Sequence, residues 1–148
     1  MWCVATLFSP RLDVRVTSTT EIAAGRALAV RAEVQGFVFC LINIYAPSQG
    51  SDRLDLFQKK VVAGCNNNEF LFLGGDFNCT ENPLLDRNHP EPHLPSKSAL
   101  TKLVQARELC DVWRYFHPGQ SQFTWTHSRG NQLSLARAVL TLLPKKGD

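Results

Sequence analysis

The chain lacks a long apolar run, a closely spaced cysteine pair, an internal repeat and any extended block of like charge. Each absence removes a class of protein. The apolar run Phe37 to Ile42 falls far short of the roughly 18 residues that a membrane helix needs. Met1-Trp2-Cys3-Val4 leads into Ser9-Pro10-Arg11 without the basic start and apolar stretch of a secretory signal. Cysteines stand at positions 3, 40, 65, 79 and 110, odd in number and widely spaced, which suggests neither a disulfide framework nor a zinc ribbon. Reduced thiols in a soluble, intracellular, non-secreted protein are the expectation. Without a secretory signal, the formal glycosylation acceptor Asn78-Cys79-Thr80 reads as coincidence. The formal charge of +3 is compatible with a polyanionic partner but too small to require one. Lys59-Lys60 and Lys145-Lys146 are the only adjacent basic pairs, as on an ordinary solvated surface.

What is present fits one domain. A chain of 148 residues, 44% hydrophobic and 20% charged, can bury a core. Leu12 to Thr17 alternates apolar and polar, as a half-buried strand does, and Ala27 to Val34 does so roughly. Gln35-Gly36 separates the latter from Phe37 to Tyr45, a nearly continuous apolar run that reads as a central strand covered on both faces. The two runs suggest a hairpin. Ser51 reads as a helix N-cap with Asp52 and Asp55 in the first turn, Leu54, Phe57 and Val61 as one apolar stripe, and Gly64 as the stop. A short buried strand, Phe70 to Leu73, is followed by a proline-marked loop from Gly74 to Pro95. A second helix is expected over Ser98 to Glu108 with Leu100, Leu103 and Val104 inward. Asp111-Val112-Trp113 continues or ends it, Pro118-Gly119 is a turn, and Phe123 to Thr126 has strand composition. This order describes a layered α/β or α+β domain.

Three strand ends carry polar groups. Gly74-Gly75-Asp76-Phe77-Asn78 closes one buried strand. Asp76 can orient a water or accept a proton, and Asn78 can donate to an anionic oxygen. On an extended chain both would point to one side; a merely structural turn is the other reading. Tyr45, in Asn43-Ile44-Tyr45-Ala46-Pro47, brings a phenol, and Phe123-Thr124-Trp125-Thr126 brings hydroxyls and an indole. Taken alone, Tyr45 reads better as a core residue with its hydroxyl at the rim, and Trp125 as core. His89-Pro90-Glu91-Pro92-His93, with Cys79 nearby, has ligand-like spacing, yet its prolines favour an extended loop over a metal site. His117 reads as a turn residue.

Taken together, "NIYAPSQ", "FLGGDFNC" and "FTWTH" resemble the endonuclease/exonuclease/phosphatase superfamily with the DNase I-like fold. Within it, the resemblance is to the apurinic-type endonuclease domains of LINE-type retrotransposons. It runs from about Leu7 to Arg137. It implies an α+β domain, a two-layer β-sandwich flanked by helices, and a Mg²⁺-dependent DNA phosphodiester hydrolase in a nuclear setting. By that resemblance Asp76 would align or activate the attacking water. Asn78 would bind the scissile phosphate, Tyr45 would contact that phosphate or stabilise its developing charge, and Thr124 would lie beside the DNA backbone. DNA is then the partner, with no membrane and no small-molecule cofactor.

Departures from the pattern bear on activity. The metal-binding glutamate of the family's early strands has no match, since Glu21 and Glu33 stand in a different context. Beyond Arg137 the family's Asp and its terminal Ser-Asp-His give way to "AVLTLLPKKGD". The expectation is a domain over residues 1–137, truncated at both ends, and a divergent tail over 138–148. With the magnesium ligand absent, its catalysis would be weak or lost. A non-catalytic retroelement remnant that at most binds nucleic acid is the alternative, and a small-phosphoester phosphatase is a more distant one.

Overall fold

In the computed structural model, residues 3–66, 69–80, 82–126, 133–134 and 137–141 are described; the side chains of residues 83, 125–126, 133–134 and 137–140 are not. The expected strand Phe123 to Thr126 thus loses the side chains of Trp125 and Thr126 from the description, and residues 142–148 of the expected tail lie outside it.

Six strands form one mixed sheet in the order β1-β2-β3-β4-β8-β5. They are β1 (Val14–Ala23), β2 (Ala27–Val34), β3 (Phe37–Tyr45), β4 (Leu71–Asp76), β5 (Cys110–Asp111) and β8 (Arg137–Thr141). A separate two-stranded ribbon pairs β6 (Trp125–Thr126) with β7 (Leu133–Ser134). Among the described residues only β3 and β4 run parallel; the other pairs are antiparallel. Between them the chain passes through α1 (Gly50–Asp55), a π-helical segment (Leu56–Val61) and α2 (Val62–Gly64). Further on come α3 (Pro83–Asp86), α4 (Leu94–Ala106) and α5 (Val112–Phe116).

Strands β2 and β3 match their sequence signals residue for residue. Their hairpin turns on Gln35 and Gly36 alone, both at positive φ (50° and 83°), the two-residue form whose twist suits paired strands. On one face of strand β3 Cys40, Ile42 and Ile44 are buried, while Val38 at its start is exposed. On its other face Phe39 is buried, Phe37 is exposed, and Leu41, Asn43 and Tyr45 are only half-buried, so the continuous apolar run overstated the strand's cover. Strand β1 extends to Ala23, beyond the alternating Leu12 to Thr17, and begins later, at Val14. As the sheet's edge it leaves Arg15 to Glu21 exposed, so no in-out pattern marks that part.

Two helix starts differ from expectation. The cap of α1 is Gln49, without a side-chain hydrogen bond, where Ser51 was the candidate; the chain already coils at Gly50. Helix α4 begins at Leu94, not Ser98, with Pro95 inside its first turn, where proline is tolerated because that N–H has no helical partner. His93 caps it, Nδ1 accepting from the Ser96 N–H at 3.2 Å. Both helical segments press Leu56, Phe57, Val61, Leu100, Leu103 and Val104 onto Ala29, Ile42, Ile44 and Leu73 as one core. Strand β4 also exceeds its signal, running on through Gly74 and Gly75 to Asp76 between β3 and β8. Arg137 opens β8, which pairs along β4 from Asp76↔Arg137 to Phe72↔Thr141. The sheet therefore includes residues 138–141.

Arg53 lies inside this assembly, 2% exposed. Its Nη1 donates to the Pro47 and Ser48 carbonyls, each at 2.9 Å, and its Nε donates to Ser96 Oγ at 3.1 Å. One side chain thus joins the segment leaving β3 to the first turn of α4. Removing it takes the donor from one buried and two part-buried acceptors, at up to about 1–3 kcal/mol each before relaxation. Arg53→Met is expected to lower stability by about 3 kcal/mol in urea denaturation.

Five free thiols occur among the described residues, as expected: Cys3 is exposed, Cys110 intermediate, and Cys40, Cys65 and Cys79 buried. Burial pushes Cys40 up to about 11 and Cys79 up to about 12, and raises Cys65. A thiol-reactive chromophore near pH 8 should therefore label Cys3 quickly and the three buried thiols only on unfolding.

Candidate functional site

Strands β3 and β4 deliver their C-terminal ends side by side, with Tyr45 opposite Asp76 in the parallel register. That register is tight at Gly75, where φ is +131° and a Cβ would collide with the Ile44 carbonyl oxygen. Glycine alone meets both demands. Gly36 is the informative contrast, left-handed at φ +83° with open space around it. Gly75→Ala should cost more than about 3 kcal/mol or abolish folding, whereas Gly36→Ala should cost only about 1–2 kcal/mol; paired denaturation curves would check this.

A cleft of about 830 Å³ opens at these ends. Asn43, Tyr45, Gly75 and Asp76 form one side. Val112, Trp113, Phe116 and His117 of the α5 region also line it, with Gln122 and Thr124. Of the sequence candidates, Tyr45, Asp76 and Thr124 meet there. The Arg26 guanidinium lies 5.0 Å from the Tyr45 ring centre, close enough for cation–π attraction. Asn43 Nδ2 donates to the Ala5 carbonyl at 2.7 Å and ties the early chain to the same place.

Asn78 is placed differently from the extended-chain expectation. Strand β4 stops at Asp76, and the backbone bends through Asn78 at φ 48°. Asp76 Oδ1 accepts from the Asn78 backbone N–H at 3.0 Å, and Asn78 Nδ2 donates to the Ala46 carbonyl at 2.7 Å. The two residues are thus bonded neighbours, and Asn78 is not part of the cleft lining. Its carboxamide carries one more hydrogen than this bond uses. Asparagine tolerates the left-handed region because of its short polar side chain.

Other candidates resolve plainly. The Thr80 of the formal glycosylation acceptor is 1% exposed and its hydroxyl donates to Glu91 at 3.3 Å. His93 serves as a helix cap, and the His89 ring nitrogens contact Arg87 and Asn88. Among the described residues no group of three or more His, Cys, Asp or Glu could hold a metal ion. His117 does precede the Pro118-Gly119 turn, but its ring also stacks on Trp113 at 4.8 Å and reaches the cleft. Sequence reasoning missed the cleft positions of Trp113, Phe116 and His117. The usable signal was Asp111 as an N-cap, accepting from the Arg114 N–H at 3.1 Å, which turns the chain back toward β4.

No family model matches the chain. Over 136 residues, 90% of its length, it is 35% identical to the Transposon TX1 uncharacterized 149 kDa protein of Xenopus laevis, and it spans only 10% of that protein. Among solved structures, the endonuclease domain of TRAS1, a telomere-specific non-LTR retrotransposon, matches 96% of this chain and 65% of its own, at TM-score 0.61 and 14% identity. An AP endonuclease from Archaeoglobus fulgidus matches 78% of this chain and 52% of its own, at TM-score 0.58 and 20% identity. The chain therefore shares the α+β, DNase I-like fold of these structures. By sequence it is related to a transposon-encoded protein.

Proposed function

We propose that this chain is an endonuclease-type domain of a retroelement whose cleft engages the sugar-phosphate backbone of DNA, with weak or no hydrolysis of its own. The observation that carries this reading is the parallel pairing of Tyr45 with Asp76 at the mouth of one cleft. In-line attack on a phosphodiester requires a positioned water and donors for the phosphate oxygens. Asp76 would orient that water, the Tyr45 phenol would donate to a non-bridging oxygen, and the second Asn78 amide hydrogen would hold the same phosphate. Thr124, exposed at the cleft, would face the strand's backbone.

Magnesium would be expected with this chemistry, and the residues here do not fit it well. Among the described residues Asp76 is the one carboxylate lining the cleft. Magnesium at phosphoryl sites leans on one or two carboxylates plus substrate oxygens, and hydrolysis further asks for a water-activating group. One carboxylate cannot serve both tasks, and slow turnover is the expected result. The proposed setting is intracellular and nuclear, where DNA is found. Among the described residues, no helix is long and apolar enough to cross a membrane.

Supercoiled plasmid nicking with Mg²⁺, parent against Asp76→Ala, tests the catalytic half. Parent nicking is expected to stay close to the protein-free background, with any residue of it lost in Asp76→Ala; rapid Asp76-dependent nicking would overturn it. A fluorescent duplex tests binding: for about two phosphate contacts, affinity should fall roughly tenfold between about 50 and 200 mM salt. A duplex that fails to bind at low salt refutes the DNA reading.

A further inference from the structure

Residue Asn78 holds a left-handed backbone that the chain must fix from both sides. On its N-terminal side the hydrogen bonds to Asp76 and Ala46 do so. On its C-terminal side Cys79 and Thr80 are 3% and 1% exposed. Thr80 sends both its backbone N–H (3.4 Å) and its hydroxyl (3.3 Å) to one oxygen, Oε2 of Glu91, eleven residues on. The Glu91 side chain is itself 3% exposed, and Arg87, at 6%, places Nε 3.4 Å from the same oxygen. Its other oxygen, Oε1, is buried without a hydrogen-bond partner. A buried carboxylate with half its acceptors unused is costly to maintain, and apolar packing would stabilise a loop as well or better. The expense is explained if the carboxylate does a positional task.

We propose that Glu91 is a positioning residue: through Thr80 it locks the turn that orients Asn78 beside Asp76. Removing the acceptor frees the C-terminal side of the turn, and the Asn78 amide then samples orientations away from the phosphate that the proposed function assigns to it. The inference rests on that function for its consequence, but not for its geometry.

Three variants separate positioning from bulk stability. Glu91→Gln keeps an acceptor oxygen for Thr80 while breaking the charge pair with Arg87. Glu91→Leu removes both, and Arg87→Met combined with Glu91→Leu removes the acceptor without leaving a buried cation unpaired, so it replaces the single variant if that fails to fold. Amide exchange and ¹⁵N spectra of the full chain are the readout. Glu91→Leu, or the double variant, is expected to shift the Asn78 carboxamide resonances and speed exchange at Asn78 and Thr80 about tenfold or more, with Glu91→Gln near the parent. Unchanged Asn78 signals in the leucine variants, or equal changes in glutamine and leucine variants, would overturn the proposal. Parent protein that binds no DNA would instead sink the functional reading, while the Asn78 signals still decide the role of Glu91.

Discussion

Everything at the cleft depends on one close approach, the Gly75 backbone against the Ile44 carbonyl. Parallel strands cannot be joined by a short turn, so the α1–α2 segment must carry the chain across before β4 can lie beside β3. Once it does, register is decided at the tightest point. Tyr45 falls opposite Asp76 because Ile44 falls opposite Gly75. The helical crossover and its buried Phe57 and Val61 supply the hydrophobic energy, but the glycine decides which residues meet.

A second theme is charge placed in the connections between strands. Arg53 ties Pro47 and Ser48 to α4, Asp86 pairs with Arg114 of α5, and Arg87 pairs with Glu91. All three arrangements sit in the connections that follow β3 and β4. Irregular backbone has carbonyls and N–H groups that the sheet cannot satisfy, and a fork-shaped guanidinium can serve several at once. The prolines at 90, 92 and 95 limit the backbone freedom that these bonds have to overcome. The outcome is a set of connections with one preferred shape, a different service from the bulk stabilisation given by the apolar core.

Much of this was legible in sequence wherever one face of an element is buried and the other is not. Strands β2 and β3, the Gln35-Gly36 turn and the inward Leu100, Leu103 and Val104 follow from period and turn chemistry alone. The signals failed where their physical basis was missing. Exposed β1 has no buried face to create alternation beyond Val16. Gly74 and Gly75 read as breakers because composition cannot show that another strand needs the space. Pro95 read as loop because proline's tolerance in a first helical turn depends on a boundary not yet known. The apolar residues after Arg137 gained a place only when β4 offered a partner edge. At the site, Tyr45 and Asp76 were legible as strand ends. The bend at Asn78 and the Glu91 anchor were not, since both depend on contacts between residues distant along the chain.

The hairpin tip at Gln35 and Gly36 has a practical meaning. It lies at the opposite end of β3 from Tyr45, a strand of nine residues and so roughly 25–30 Å of rigid backbone. Its glycine has empty space around it. A fluorophore, an immobilising tether or an inserted peptide carried at that tip would stay outside the reach of anything occupying the far end, making the tip a natural handle for single-molecule and surface measurements on this domain.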